Sequence, residues 1–214
     1  MTGFSHDQET LNAIKELGEV RQEALEAGMA TLMAGSGALT PFDLIVIGAA
    51  KRAVSVSVGI EQAVSTRNMV CARALLRMQL DTVLRYSAFR HVDKAQEVAR
   101  RVIAGEPIRK MKSRCGKPLH DSFLVEKLGE HFSWVPEVYK RTSGYVHFCE
   151  SQFYDSVASF QVESGEMEIA INETDEKFPA SSWIEVVNCA THCLVILRNF
   201  IRQDCEQKDI QLKK

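Results

Sequence analysis

Helical periodicity runs through most of this 214-residue chain and constrains its fold more than any other feature. Leu11, Ile14, Leu17, Ala24, Leu25, Ala27 and Met29 recur at helical spacing, with charged residues between them. The run "GSGALTPFD" breaks that pattern, and Thr40-Pro41 supplies a cap followed by a first-turn proline. A second helix is expected over about 41–65 and a third, longer one over about 67–104, where Gly105 and Pro107 stop it. Further helices are expected near 121–131 and 135–158. The period then changes: "VASFQVESGEMEIAINETDEK" alternates on both sides of "ESGE" and reads as a β-hairpin within 157–175. A last helix is expected over about 180–206. The fold class is therefore mainly α, a single-domain helical bundle over 1–214 with a small β-hairpin before the last helix.

Composition closes off several function classes. At 45% hydrophobic and 25% charged residues the chain has enough apolar material for a sizeable core. A net charge of −2 gives no global field to attract nucleic acid, so any such contact needs a local basic patch. The N-terminal stretch is polar and acidic, unlike a secretory signal. Lys51 and Arg52 interrupt the most apolar segment, "FDLIVIGAAKRAVSVSVGI", which argues against a membrane partner. The six cysteines form no CxxC pair and fit reduced thiols in a cytoplasmic protein. Cys189, His192 and Cys193 make one close cluster, read as helix packing because a structural zinc site needs four ligands. No metal site or cofactor is expected. The sequence lacks the Glu-x-x-His pairs of di-iron bundles, an H-E-x-x-H run and a phosphate-binding loop.

Polar residues that intrude on apolar faces mark the candidate site. At about 100° per residue, Arg73, Arg77, Asp81 and Arg85 fall along one drifting stripe, in a sector shared with Val70, Leu80 and Leu84. Charges so placed require partners, and Arg77 and Asp81, four apart, are spaced to pair. The stripe is either an ion network that locks two helices or a pocket for an anion. A companion stripe on "VYKRTSGYVHFCESQFY" carries Tyr139, Ser143 and His147, continued by Ser151 and Tyr154. His147 sits at the border of the core, where an imidazole is either inert or poised for proton transfer. The segment "IRKMKSRCGKPLH" concentrates Arg109, Lys110, Lys112, Arg114 and Lys117 without an acid, a solvated loop or a candidate phosphate contact.

The segment "YKRTSGYVHFCESQFYDS", following "ARALLRMQLDTVLRY", resembles a group of bacterial helical proteins that pair an Arg-and-acid helix with a later Tyr, Ser and His helix. Arg141 and His147, with five residues between them, resemble the Arg–x(4–6)–His signature of the HEPN superfamily. The resemblance covers 67–158. It implies a small, often dimeric bundle in bacterial defence or toxin–antitoxin systems, with an antitoxin or other regulatory protein as partner. The implied activity is a metal-independent ribonuclease, RNA its substrate, and Arg141 and His147 its catalytic pair at a dimer interface. Arg85 to His91 repeats the same spacing, and both copies depart from the family, with Thr142 and Tyr86 directly after the arginine where the family often has Asn, Asp or His. On one unbroken helix Arg141 and His147 lie about 120° apart. A long guanidinium stem, a distortion at Gly144 or a second subunit would have to bring them to one phosphate. The alternative is a non-catalytic binding or scaffold module whose Arg/Asp/His cluster is structural.

Overall fold

Eight α-helices and one two-stranded sheet make up the described part of the computed structural model, residues 7–147, 150–161 and 165–212. Asp7 opens α1 (Gln8–Met33) by accepting the Thr10 backbone N–H at 2.9 Å. The buried side of α1 carries Ala13, Leu17, Val20, Ala24 and Ala27. Thr40 and Asp43 form a reciprocal capping box ahead of α2 (Pro41–Ser65), with Pro41 in the first turn as the sequence predicts. α1 and α2 approach closely at Gly28, where an added Cβ would meet the Ala50 Cβ at 2.7 Å.

The long helical pattern over 67–104 is broken in two. α3 (Met69–Ser87) starts on an Asn68 cap, tightens into a 3-10 turn at Ala88–His91, and is followed by the separate α4 (Ala95–Ile103). The break is held from outside. The Arg114 backbone N–H donates to the His91 carbonyl at 2.7 Å, and its guanidinium donates to the Arg90 carbonyl at 2.6 Å. The basic segment that follows leads into α5 (Asp121–Gly129) and α6 (Val135–Val146), both packed on α3.

The helix expected over 135–158 is also divided. α6 ends at Val146, His147 has extended backbone angles (φ −113°, ψ 142°), and a short α7 spans Glu150–Ser156. β1 (Val157–Gln161) then pairs antiparallel with β2 (Glu166–Ile169), the hairpin expected from the alternation; residues 162–164 lie outside the described residues. Lys177 anchors this region by donating to the carbonyls of Tyr154 and Val157, each at 3.0 Å. Asp175 ties it to the bundle, accepting the Met69 backbone N–H at 2.8 Å.

α8 (Ala180–Leu212) runs past the expected end at 206 and lies along α1 while also packing on α2 and α3. Its most apolar window, mean hydropathy 1.4, is long enough to cross a membrane by length and composition alone, and half of that window is buried in the bundle. Val187, Leu194, Leu197 and Ile201 on α8 join one continuous core with Leu17, Ile60, Leu76 and Leu80.

Candidate functional site

The arginine stripe of α3 faces α5, α6 and α7, and most of its partners come from those elements. Arg73 pairs with Asp155 of α7 at 3.1 Å, its guanidinium 4.8 Å from the Tyr145 ring centre and 4.6 Å from that of Phe178. Arg77 lies over the Tyr139 ring at 3.8 Å and approaches Asp121 at 4.0 Å. Arg85 donates to Asp121 and pairs with Asp81 at 3.3 Å, and Arg52 of α2 reaches Asp81 at 3.9 Å. The expected Arg77–Asp81 pair does not form. Asp121, at the first position of α5, takes Arg77 and leaves Asp81 to Arg85 and Arg52.

Tyr139 completes the cluster, its hydroxyl donating to Asp121 at 2.8 Å. Burial alone would raise the Asp121 carboxyl, but the Tyr139 hydroxyl and the Arg85 and Arg77 guanidinium groups outweigh it and hold it below the usual carboxylate range. Burial, then the bond to Asp121, pushes the Tyr139 phenol up. One guanidinium nitrogen each of Arg77 and Arg85 is buried without a hydrogen-bond partner, so the network keeps donor capacity to spare.

The second stripe divides in two. Tyr139 faces the arginines, whereas Ser143 and His147 are exposed. Tyr154 is exposed as well; Cys149 and the Ser151 side chain lie outside what the structure describes. Arg141, also on the surface, pairs with Glu137 at 2.8 Å and with Glu185 of α8 at 3.5 Å. Beside it a groove of about 130 Å³ runs between α6 and the start of α8, lined by Arg73, Arg141, Tyr145, Ser182, Glu185 and Cys189. His147 is not among the residues that line it.

The other sequence candidates are accounted for separately. In the repeated Arg85-to-His91 spacing, Arg85 is committed to Asp81 and Asp121, while the His91 ring meets the Phe123 edge at 5.5 Å. Arg109, Lys110, Lys112, Arg114 and Lys117 are all exposed, on a 3-10 turn and a loop closed by a bridge between Lys112 and Pro118. Arg114 alone among them turns back onto backbone carbonyls. Burial pushes the Cys189 thiol up to about 11 and raises Cys193 further, and His192 packs against Trp134. No metal-ligating group of three is present among the described residues.

Sequence reasoning missed Asp121, Asp155 and Glu185, the acids that receive the arginines. Asp121 carried a usable signal, an acid opening a helix directly after a basic loop. Compared with protein-family models, curated proteins and solved structures, the chain matches none.

Proposed function

We propose that the chain is a HEPN-like ribonuclease of a bacterial defence or toxin–antitoxin system, acting as a cytoplasmic homodimer with its chemistry at the end of α6. The observation that carries this reading is the termination of α6 at Val146, with His147 in an extended conformation and exposed. The helical rotation that would set Arg141 and His147 about 120° apart stops one residue short of the imidazole, so a continuous helix does not fix that separation. Arg141 is 59% exposed, and its two carboxylate partners are equally open. Surface pairs of this kind are weak and exchange for a phosphate at little cost.

In this reading a 2′-hydroxyl of RNA attacks the adjacent phosphorus and displaces the 5′-oxygen. His147 takes or returns the proton, and Arg141 binds the phosphoryl oxygens as charge builds on them. Arg73 adds a second guanidinium in the groove that Arg141 lines. The test is cleavage of a labelled single-stranded RNA by the purified chain with chelator present. Cleavage lost in both Arg141→Ala and His147→Ala supports the reading; an inactive wild type, or unchanged His147→Ala, removes it.

The second reading, a non-catalytic binding or scaffold module, is favoured by one observation. Arg77, Arg85, Asp121 and Tyr139 join α3, α5 and α6 inside one chain. A wild type that neither cleaves RNA nor slows growth on expression would favour it.

A further inference from the structure

We propose that a cleft on another part of the bundle binds an organic anion, a ring-bearing body with a phosphate or carboxylate head. The cleft lies between the start of α2, the turn leading into α4, and the end of α8, and encloses about 1180 Å³. Ligand pockets commonly measure about 300–1,000 Å³, so this one accommodates a metabolite-sized molecule together with solvent. Neither Arg141 nor His147 lines it, and the proposal does not rest on the ribonuclease reading.

One part of the wall is apolar and aromatic. Leu39 is 59% exposed, and the half-buried Phe42 ring lies 5.1 Å from that of Phe89. These groups offer a surface on which a flat body packs. The remainder is largely polar or charged, with five cations against four acids in a chain of net charge −2.

The deep acids are already satisfied. Asp43 accepts from Lys208 at 2.9 Å and from the Thr40 backbone at 2.6 Å. Asp204 accepts the Tyr86 hydroxyl at 2.5 Å and Arg90 at 3.0 Å. These two carboxylates therefore fix Lys208 and Arg90 in place and present little uncompensated negative charge to the cleft.

The rim cations are available. Lys94 is exposed and has no ion-pair partner among the described residues. Arg100 meets Glu97 at 3.6 Å, a long pair between exposed groups that contributes little and is readily exchanged, whereas Arg114 is committed to the Arg90 carbonyl and adds only its fixed charge to the rim. Inside a cleft with apolar walls such cations act on an anion more strongly than they would on an open surface.

Three probes separate body from head: 1-naphthyl phosphate, 1-naphthol and inorganic phosphate, each titrated calorimetrically into the full chain. The expected order places 1-naphthyl phosphate tightest. The Lys94→Ala/Arg100→Ala chain binds that probe about tenfold or more weakly, with its affinity for 1-naphthol unchanged. Both replaced residues are exposed, so the melting temperature of the double variant stays at the wild-type value. Leu39→Glu, also at the surface, tests the apolar wall and weakens both naphthyl probes. Absence of saturable 1-naphthyl phosphate binding would overturn the proposal. So would equal affinity for the phosphate and the naphthol, or wild-type binding by the double variant.

Discussion

The Arg77 guanidinium lies 3.8 Å from the centre of the Tyr139 ring, where α3 and α6 pack together. The same ring donates its hydroxyl to Asp121, so one side chain serves a cation through its face and a carboxylate through its edge. Tyr139→Phe keeps the face and loses the hydrogen bond, with an expected cost of about 0.5–1.5 kcal/mol. Arg77→Ala removes the cation and leaves Asp121 with Arg85 as its one guanidinium partner beside the Tyr139 hydroxyl, at an expected cost of about 2–3 kcal/mol. Urea denaturation of the two variants checks the order; equal losses would mean the ring contact contributes nothing.

Acid should weaken this cluster in a definite window. Asp121 titrates below its ordinary range in the folded chain, so the unfolded chain takes up protons first as pH falls. The stability it contributes is therefore complete above about pH 4 and disappears as pH drops through the depressed folded value. Asp121→Asn should be clearly less stable than wild type near about pH 7, and the gap should narrow below about pH 4. Urea melts of both chains across that range give the answer. A gap that stays constant into acid would place the stabilising role elsewhere.

Local signals in the sequence are legible where the physics is local. Thr40-Pro41 opens a helix because a hydroxyl and a missing N–H suit the same first turn, and the alternation around "ESGE" marks a hairpin for an equally short-range reason. Non-local competition decided the rest. Asp81 is spaced to take Arg77, yet Asp121, forty residues further along the chain than Asp81, occupies that role. The break between α3 and α4 has no glycine or proline to announce it; Arg114 holds it from a loop that follows α4. The apolar period continues past His147 and predicts a mid-helix residue there, whereas the helix stops before it.

A buried pair at the far end of the bundle makes a separate prediction. Lys208 and Asp43, 2.9 Å apart, have side chains only 11% and 5% exposed. Lys208→Met leaves the Asp43 carboxylate enclosed with its backbone cap bond but no cation, an expected loss of about 3–5 kcal/mol. The double variant with Asp43→Asn removes the stranded charge and should recover part of that loss. A double variant no more stable than Lys208→Met alone would show that the cost comes from packing.

The close approach of α1 and α2 is testable through one methyl group. Alanine suits a helix interior better than glycine by about 1 kcal/mol, so Gly28→Ala in an isolated helix would stabilise it. Here the new Cβ meets the Ala50 Cβ at 2.7 Å, and one helix must shift. The expected net effect is destabilisation by about 1–3 kcal/mol. Ala50→Gly in the same chain removes the collision and should return most of the stability. Thermal melts of the two singles and the double measure the coupling.

The ribonuclease reading makes its strongest demand on which residues leave the rate alone. His147 and Arg141 are both exposed, and neither is held in the Asp121 network. Loss of a general acid–base group lowers a rate about 10²–10⁴-fold, the change expected for His147→Ala. Arg141→Lys keeps the charge but loses the planar fork that grips two phosphoryl oxygens, so it should fall between wild type and Arg141→Ala. Tyr139→Phe should cleave RNA at close to the wild-type rate despite its lower stability, since its hydroxyl is committed to Asp121. Single-turnover cleavage by the four variants, with folding checked by circular dichroism, resolves the matter. A Tyr139→Phe defect as deep as that of His147→Ala would move the chemistry from the end of α6 to the buried arginine cluster.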